Sequence, residues 1–268
     1  MKSRFLKLAQ IMSLIVLLSA CLINLLGSST VYAITNGQPD GEQHPNVCIV
    51  VMFDEDMNFR GSGSGILISP NIVLTAGHVA DAGDIAFVSF SSEVTYGDLT
   101  GYIPGIPYVH PDYLLGAGQG LPQFITHDIG IIELFTPVST LGYGILPDEG
   151  VNDTLSMKTG LDVVGYGYNY RERPSQAWIF YGERYHGLSE LISSQHKQGD
   201  EFIKITCNPS QGKGGQSFGD SGGPVLLCGT NIILGVVSYG TNYNSTGVGY
   251  AARVDKADIL NWINSYLP

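Results

Sequence analysis

Charge is scarce in this chain. Only 14% of its 268 residues are charged, and 13 lysines and arginines face 24 aspartates and glutamates, for a formal charge of −11. So acidic a chain has no footprint for nucleic acid and little attraction to an anionic membrane surface. Cysteine is scarcer still, with four residues and no Cys-x-x-Cys, and the sequence also lacks His-Glu-x-x-His and EF-hand spacings. No metal and no cofactor are therefore expected, and Asp54, Glu55 and Asp56 read as a solvated turn rather than a calcium loop. The sequence shows no internal repeat and no low-complexity tract. Helical periodicity is confined to the apolar amino terminus and to "DKADILNWINSYL", where Ile259, Ile263 and Leu267 recur every four residues behind Asp255 as the expected cap.

Glycine, by contrast, is abundant, with 35 residues set between short apolar runs. That composition favours many short strands and tight turns, an all-β chain. Strands are expected at Val47–Phe53, Ser64–Ile68, Ile72–Leu74, Ile85–Phe90, Ile129–Leu134, Leu161–Tyr166, Ile179–Tyr185, Phe202–Cys207, Gly223–Leu227 and Ile232–Ser238. Glycine, proline and acids interrupt the apolar pattern between Leu141 and Thr154, so the domains are drawn at 34–145 and 146–268.

Residues 1–33 read as a signal peptide. Lys2, Arg4 and Lys7 precede an apolar stretch from Leu8 to Leu26, and Val31 to Ala33 supply small residues for cleavage. Export follows, with no membrane attachment once the signal is removed. The leader holds no acid, so its loss moves the formal charge from −11 to −14. A second reading takes Leu18 to Cys21 as a lipoprotein site that would leave a lipid-anchored Cys21; the apolar residues directly after that cut weigh against it.

One serine stands out, in "FGDSGGPVLL". Glycines around Ser221 permit a tight turn and leave room for a substrate, as a nucleophile needs. Its hydroxyl requires a base to take the proton and a third group to orient that base. The Gly-x-Ser-x-Gly elbow fits formally, but it needs a histidine after the serine and none follows Ser221. His78 follows the run Ile72-Val73-Leu74 and the small residues Thr75-Ala76-Gly77. Asp128 heads the apolar run Ile129-Gly130-Ile131-Ile132, where a buried acid demands a partner.

Thr75-Ala76-Gly77-His78, Asp128-Ile129-Gly130-Ile131 and Gly219-Asp220-Ser221-Gly222-Gly223-Pro224 together resemble the catalytic blocks of the chymotrypsin/trypsin family of serine proteases, in the order His, Asp, Ser. The resemblance runs from about Ile34 to the end. It implies two six-stranded antiparallel β-barrels with a C-terminal helix, and a serine endopeptidase acting as a monomer on protein or peptide substrates. By the same resemblance Ser221 is the nucleophile, His78 the general base and Asp128 its orienter, while the N–H groups of Gly219 and Ser221 form the oxyanion hole. The acid before the serine, Asp220, would pair with the new amino group of Ile34.

For the substrate pocket the resemblance implies Gly215 at the floor, Gln216 beside it and Gly240 and Gly249 along the walls, with Ser238 to Gly240 offering backbone to the substrate strand. No acid stands at the floor, which disfavours cleavage after arginine or lysine. Val237 stands where glutamate-specific relatives carry histidine. An apolar or aromatic preference remains, unless Gln216 makes the pocket polar. The disulfide around the histidine in animal members is absent, since Val79 follows His78 and Gly63 stands at its matching position. The pairing of Cys207 with Cys228 stays open. Two other functions also stay open: a catalytically inactive homologue that binds peptides or proteins, and a surface protein whose strands are purely structural.

Overall fold

A computed structural model describes residue 34 and residues 36–115, 125–139, 142–168, 170–171, 178–179, 182–193, 200–240 and 246–268. The expected signal peptide and Cys21 lie outside the described residues. Among the described residues no helix is long and apolar enough to cross a membrane.

The first barrel is built from β1 (Val47–Phe53), β2 (Phe59–Ser69), β3 (Ile72–Thr75), β4 (Ile85–Ser89), β5 (Ile103–Val109) and β6 (Gly130–Leu134). All pairings are antiparallel, and the ring closes in the order β1-β2-β3-β6-β5-β4. The second uses β7 (Gly160–Gly165), β8 (Tyr185–Ser193), β9 (Phe202–Cys207), β10 (Pro224–Leu227), β11 (Ile233–Gly240) and β12 (Gly247–Arg253). It closes as β7-β8-β9-β12-β11-β10, again antiparallel throughout. The two-residue strand Gln38–Pro39 adds to the second barrel by pairing with Tyr185 and His186 of β8.

Side chains alternate across a strand, and in β1 both faces are buried. Cys48, Val50 and Met52 fill the first barrel with Leu67, Val73 and Ile132. Val47 and Ile49 join Ile66, Leu74 and Ile131 in a cluster shared with Val164, Leu226 and Val236 of the second barrel. That double burial is why the sequence there reads as an unbroken apolar run. Leu161, Val163, Ile203, Ile205, Val225 and Leu234 form the second barrel's own core, and Ile34 is buried among them.

Two barrel strands lie outside the expected set and two expectations change. Gly247–Arg253 is a strand, and so is Ile103–Val109 despite Pro104 and Pro107, residues that ordinarily demote a run to an edge or a loop. The strand expected at Ile179–Tyr185 instead runs Tyr185–Ser193. The C-terminal helix is Ala257–Asn264, with Lys256 at its N-cap and no side-chain cap bond. Asp255 is diverted: it is fully buried and accepts hydrogen bonds from Arg253 Nε (2.9 Å) and from the backbone N–H (2.8 Å) and Nδ2 (2.6 Å) of Asn152. The helix is held by its apolar face, Ile259 and Ile263, each worth about 1.5–3 kcal/mol when buried.

No disulfide forms among the described residues. Cys48 and Cys207 are buried thiols and Cys228 is exposed. Cys207 packs against Gly215, whereas Cys228 lies beside Gly160, so the two candidates for a bridge face different neighbours.

Candidate active site

His78 lies on the single helical turn Gly77–Ala80, directly after β3. Small residues are required there. A Cβ on Gly77 would stand 2.8 Å from Tyr113 Cδ2 and 3.2 Å from Asp128 Oδ1, and one on Gly130 would stand 2.6 Å from Ala80 Cβ. The close approach lets Asp128 reach the turn. Its Oδ1 accepts the backbone N–H of His78 at 2.8 Å, and its Oδ2 lies 2.9 Å from His78 Nδ1. His127, just before it, has φ of 49°, a left-handed conformation that aims Asp128 inward.

Asp128 is fully buried. Burial alone would raise its pKa, but the charge and hydrogen bond of His78 and the hydroxyl of Ser238 outweigh it and hold the carboxyl below its usual value. Burial likewise acts to lower the pKa of His78, and the Asp128 charge and hydrogen bond overcome it, so the imidazole titrates above its usual value. Ser238 Oγ donates to Asp128 Oδ2 across the junction of the barrels. The sequence placed Ser238 only as backbone for the substrate strand; nothing in the local pattern signals a side-chain bond to a residue 110 positions away.

Ser221 comes from the second barrel. Its loop is fastened to the first, with Ser64 N–H donating to Ser221 O at 2.7 Å. Gly222, at φ of 83°, allows this approach, since a Cβ would fall 2.1 Å from Thr75 Oγ1 and 2.4 Å from Ser64 O. Gly219 also has a left-handed backbone, φ of 89°, and its carbonyl accepts from Ser64 Oγ at 3.3 Å. Ser221 and His78 thus line one cavity of about 330 Å³ with Gln216, Ser217, Phe218, Val237, Ser238, Tyr239 and Gly240.

Gly215 is not among those lining residues. Its missing side chain points at Cys207, where a Cβ would lie 2.3 Å from Sγ. Gln216, expected beside the floor, is buried with its side chain against Gly249 and lines the cavity.

Asp220 faces away from the cavity and is also fully buried. Its carboxyl accepts the N–H groups of Gly167 (2.8 Å) and Ser217 (2.6 Å), and among the described residues it pairs with no cation. Burial pushes its pKa well above the usual carboxylate range against the pull of those two N–H groups. Ile34 is buried in the same barrel, against Gly37 and Gly187.

Known proteins place this architecture. The trypsin family model matches residues 37–263. Rat (Rattus norvegicus) chymase is 28% identical over 253 residues, 92% of this chain and 96% of chymase. The cercarial protease of Schistosoma mansoni is 31% identical over 226 residues, 78% of this chain and 80% of the relative. Among solved structures, HL collagenase superposes with a TM-score of 0.65 at 19% identity, covering 88% of this chain and 96% of the other, a likeness of fold. Twin barrels closed in the same strand order, an imidazole and a serine at their junction, and a family match over most of the length lead to one conclusion: the chain belongs to the trypsin family of chymotrypsin-like serine proteases.

Proposed function

We propose that the protein is an exported serine endopeptidase that cleaves peptide bonds through an acyl-enzyme. The observation that carries this reading is the contact of His78 Nδ1 with the buried Asp128 carboxylate at 2.9 Å, in a cavity shared with Ser221. A carboxylate only accepts, so the Nδ1 proton is fixed and Nε2 keeps its lone pair for the serine hydroxyl. Ser221 Oγ attacks the scissile carbonyl as His78 removes its proton. The imidazolium, stabilised by Asp128, returns that proton to the departing amine. Water then repeats the sequence on the acyl group. Gly219 and Ser221 N–H groups receive the oxyanion, each donor worth about 100- to 1000-fold in turnover.

The side chain preceding the cut enters between Val237 and Gln216, with no acid to pair an arginine or lysine; apolar or aromatic residues are the substrates this cavity favours. Cleavage after Ala33 frees the amine of Ile34. Its ammonium then supplies the cation that the buried Asp220 lacks while Ile34 is amide-linked to Ala33, and this sets the loop carrying Gly219 and Ser221.

A fluorophosphonate probe tests the reading, because only an activated serine reacts quickly. Rapid labelling is expected of the protein that begins at Ile34 and not of its Ser221→Ala or His78→Ala variants. Absence of labelling in that protein would favour a peptide-binding homologue without activity. Cleavage of a mixed peptide library reads the preference directly.

A further inference from the structure

The sequence offered no metal motif, yet the fold gathers a second group of imidazoles and carboxylates away from the cavity. Asp40, His44 and His186 each bring a ligand atom within 4.8 Å of one another. They lie where the amino-terminal segment crosses β7 and β8. Asp40 is already committed: it is fully buried, and its Oδ2 accepts Arg184 Nε at 2.7 Å. Its Oδ1 takes the Nδ1 side of His44. A carboxylate bound there fixes the imidazole proton on Nδ1, and the lone pair of Nε2 points elsewhere.

That lone pair faces another carboxylate. His44 Nε2 lies 3.6 Å from Asp162 Oδ2, too far for a good hydrogen bond, and His186 Nδ1 lies 3.3 Å from Asp162 Oδ1. Ligand atoms bound at about 2.0–2.1 Å in a tetrahedral zinc site are ~3.4 Å apart along an edge. Each imidazole nitrogen thus lies about one such edge from an oxygen of the same carboxylate, Oδ2 for His44 and Oδ1 for His186, and a cation held among the three groups would draw them together. The side chains of His44, His186 and Asp162 are 13%, 15% and 13% exposed, so they are screened from bulk water yet reachable by an ion. Gln43 Nε2, 3.1 Å from His186 Nε2, supports the other imidazole.

We propose that His44 Nε2, His186 Nδ1 and the Asp162 carboxylate form a binding site for a divalent transition ion of the zinc type, with Asp40 orienting His44 and water completing the tetrahedron. Imidazole and carboxylate donors suit zinc better than calcium or magnesium. Binding displaces the proton that His186 Nδ1 shares with Asp162, and the Gln43 amide turns its oxygen to the proton then carried on Nε2. The ion ties residue 44 to β7 and β8, the strands beside which Gln38–Pro39 and Ile34 dock, and so holds the first ten residues of the mature chain in place. This site does not depend on the protease reading.

Zinc titration by calorimetry tests it, in a His78→Ala, Cys228→Ser background because the imidazole at Asp128 and the exposed thiol are themselves metal donors. One zinc ion per chain is expected, with a rise in melting temperature as zinc is added, and cobalt(II) should give the intense visible absorption of a tetrahedral site. His186→Ala and Asp162→Asn should each weaken zinc at least about tenfold. Failure of the background protein to bind zinc with one-to-one stoichiometry overturns the proposal. So does binding that both variants leave unchanged. If either variant fails to fold, the cobalt spectrum of the background protein decides alone: tetrahedral intensity supports the site, and a weak octahedral spectrum rejects it.

Discussion

The first barrel closes in the order β1-β2-β3-β6-β5-β4 and the second in the same relative order, β7-β8-β9-β12-β11-β10, yet each treats its buried aspartate in the opposite way. Asp128, from the first barrel, is held ionised by an imidazole and by a hydroxyl donated from the second. Asp220, from the second, has only backbone N–H partners among the described residues, and burial raises its pKa. One topology thus lowers the pKa of one acid and raises that of the other, because the shift depends on what other chain segments bring to the site. Neither barrel holds a complete set of catalytic groups, and the chemistry proposed above arises at their junction.

The largest test of that division of labour crosses the junction. Ser221→Ala and His78→Ala should each lower kcat on a peptide substrate by about 10⁶-fold, and the double variant should lose no more than either. Additive losses would mean that the two residues do not act as one unit.

Next comes the bond between the barrels themselves. Arg184, fully buried, joins Asp40 to the carbonyls of Val47 and Phe90 (3.1 Å each) and to Tyr166 Oη (3.1 Å). Arg184→Ala leaves Asp40 buried without its cation and should cost about 3–5 kcal/mol in urea unfolding. The double variant Arg184→Met, Asp40→Leu should recover much of that loss, which measures how far the pair is a matter of specificity rather than stability.

Asp220→Asn separates the precursor from the mature protein. In a protein beginning at Ile34 it should lower kcat/KM about 100-fold or more, as should an extra residue before Ile34. In the precursor the sign on stability reverses. There the folded pKa of Asp220 lies above its ordinary 3.8, so the folded chain binds the extra proton and loses stability as pH rises from 3.8 through that raised value. The asparagine variant should lack that share of the fall and be the more stable precursor at neutral pH, by comparison of urea midpoints across pH.

The smallest effect is a displaced midpoint. Because the Asp128 charge raises the His78 pKa above 6.5, and the imidazole must be neutral to accept a proton, kcat/KM should climb with pH through a midpoint above 6.5. A midpoint below that value would show burial prevailing over the carboxylate.

Much of this was legible beforehand because it is local. The small residues around His78 and Ser221 answer close approaches within a few ångströms, and the short apolar runs Val47–Phe53 and Phe202–Cys207 mark buried strands directly. Other features were illegible for physical reasons. Proline hid β5, since its missing N–H is compatible with a strand only in a particular pairing context. Asp255 looked like a cap because the sequence does not reveal Arg253 and Asn152 converging on it.

The sequence by itself determined the all-β class, the order of the three blocks around His78, Asp128 and Ser221, and the placement of glycines where a side chain cannot fit. Tertiary structure alone decided that Ser238 donates to Asp128, that the Gln216 side chain packs against Gly249, that Cys207 and Cys228 stay apart, and that Arg184 clasps Asp40 144 residues away. Turns and strands are set by neighbouring residues, whereas the cost of a buried charge and the identity of its partner are set by whichever distant segments the closed barrels bring within bonding distance.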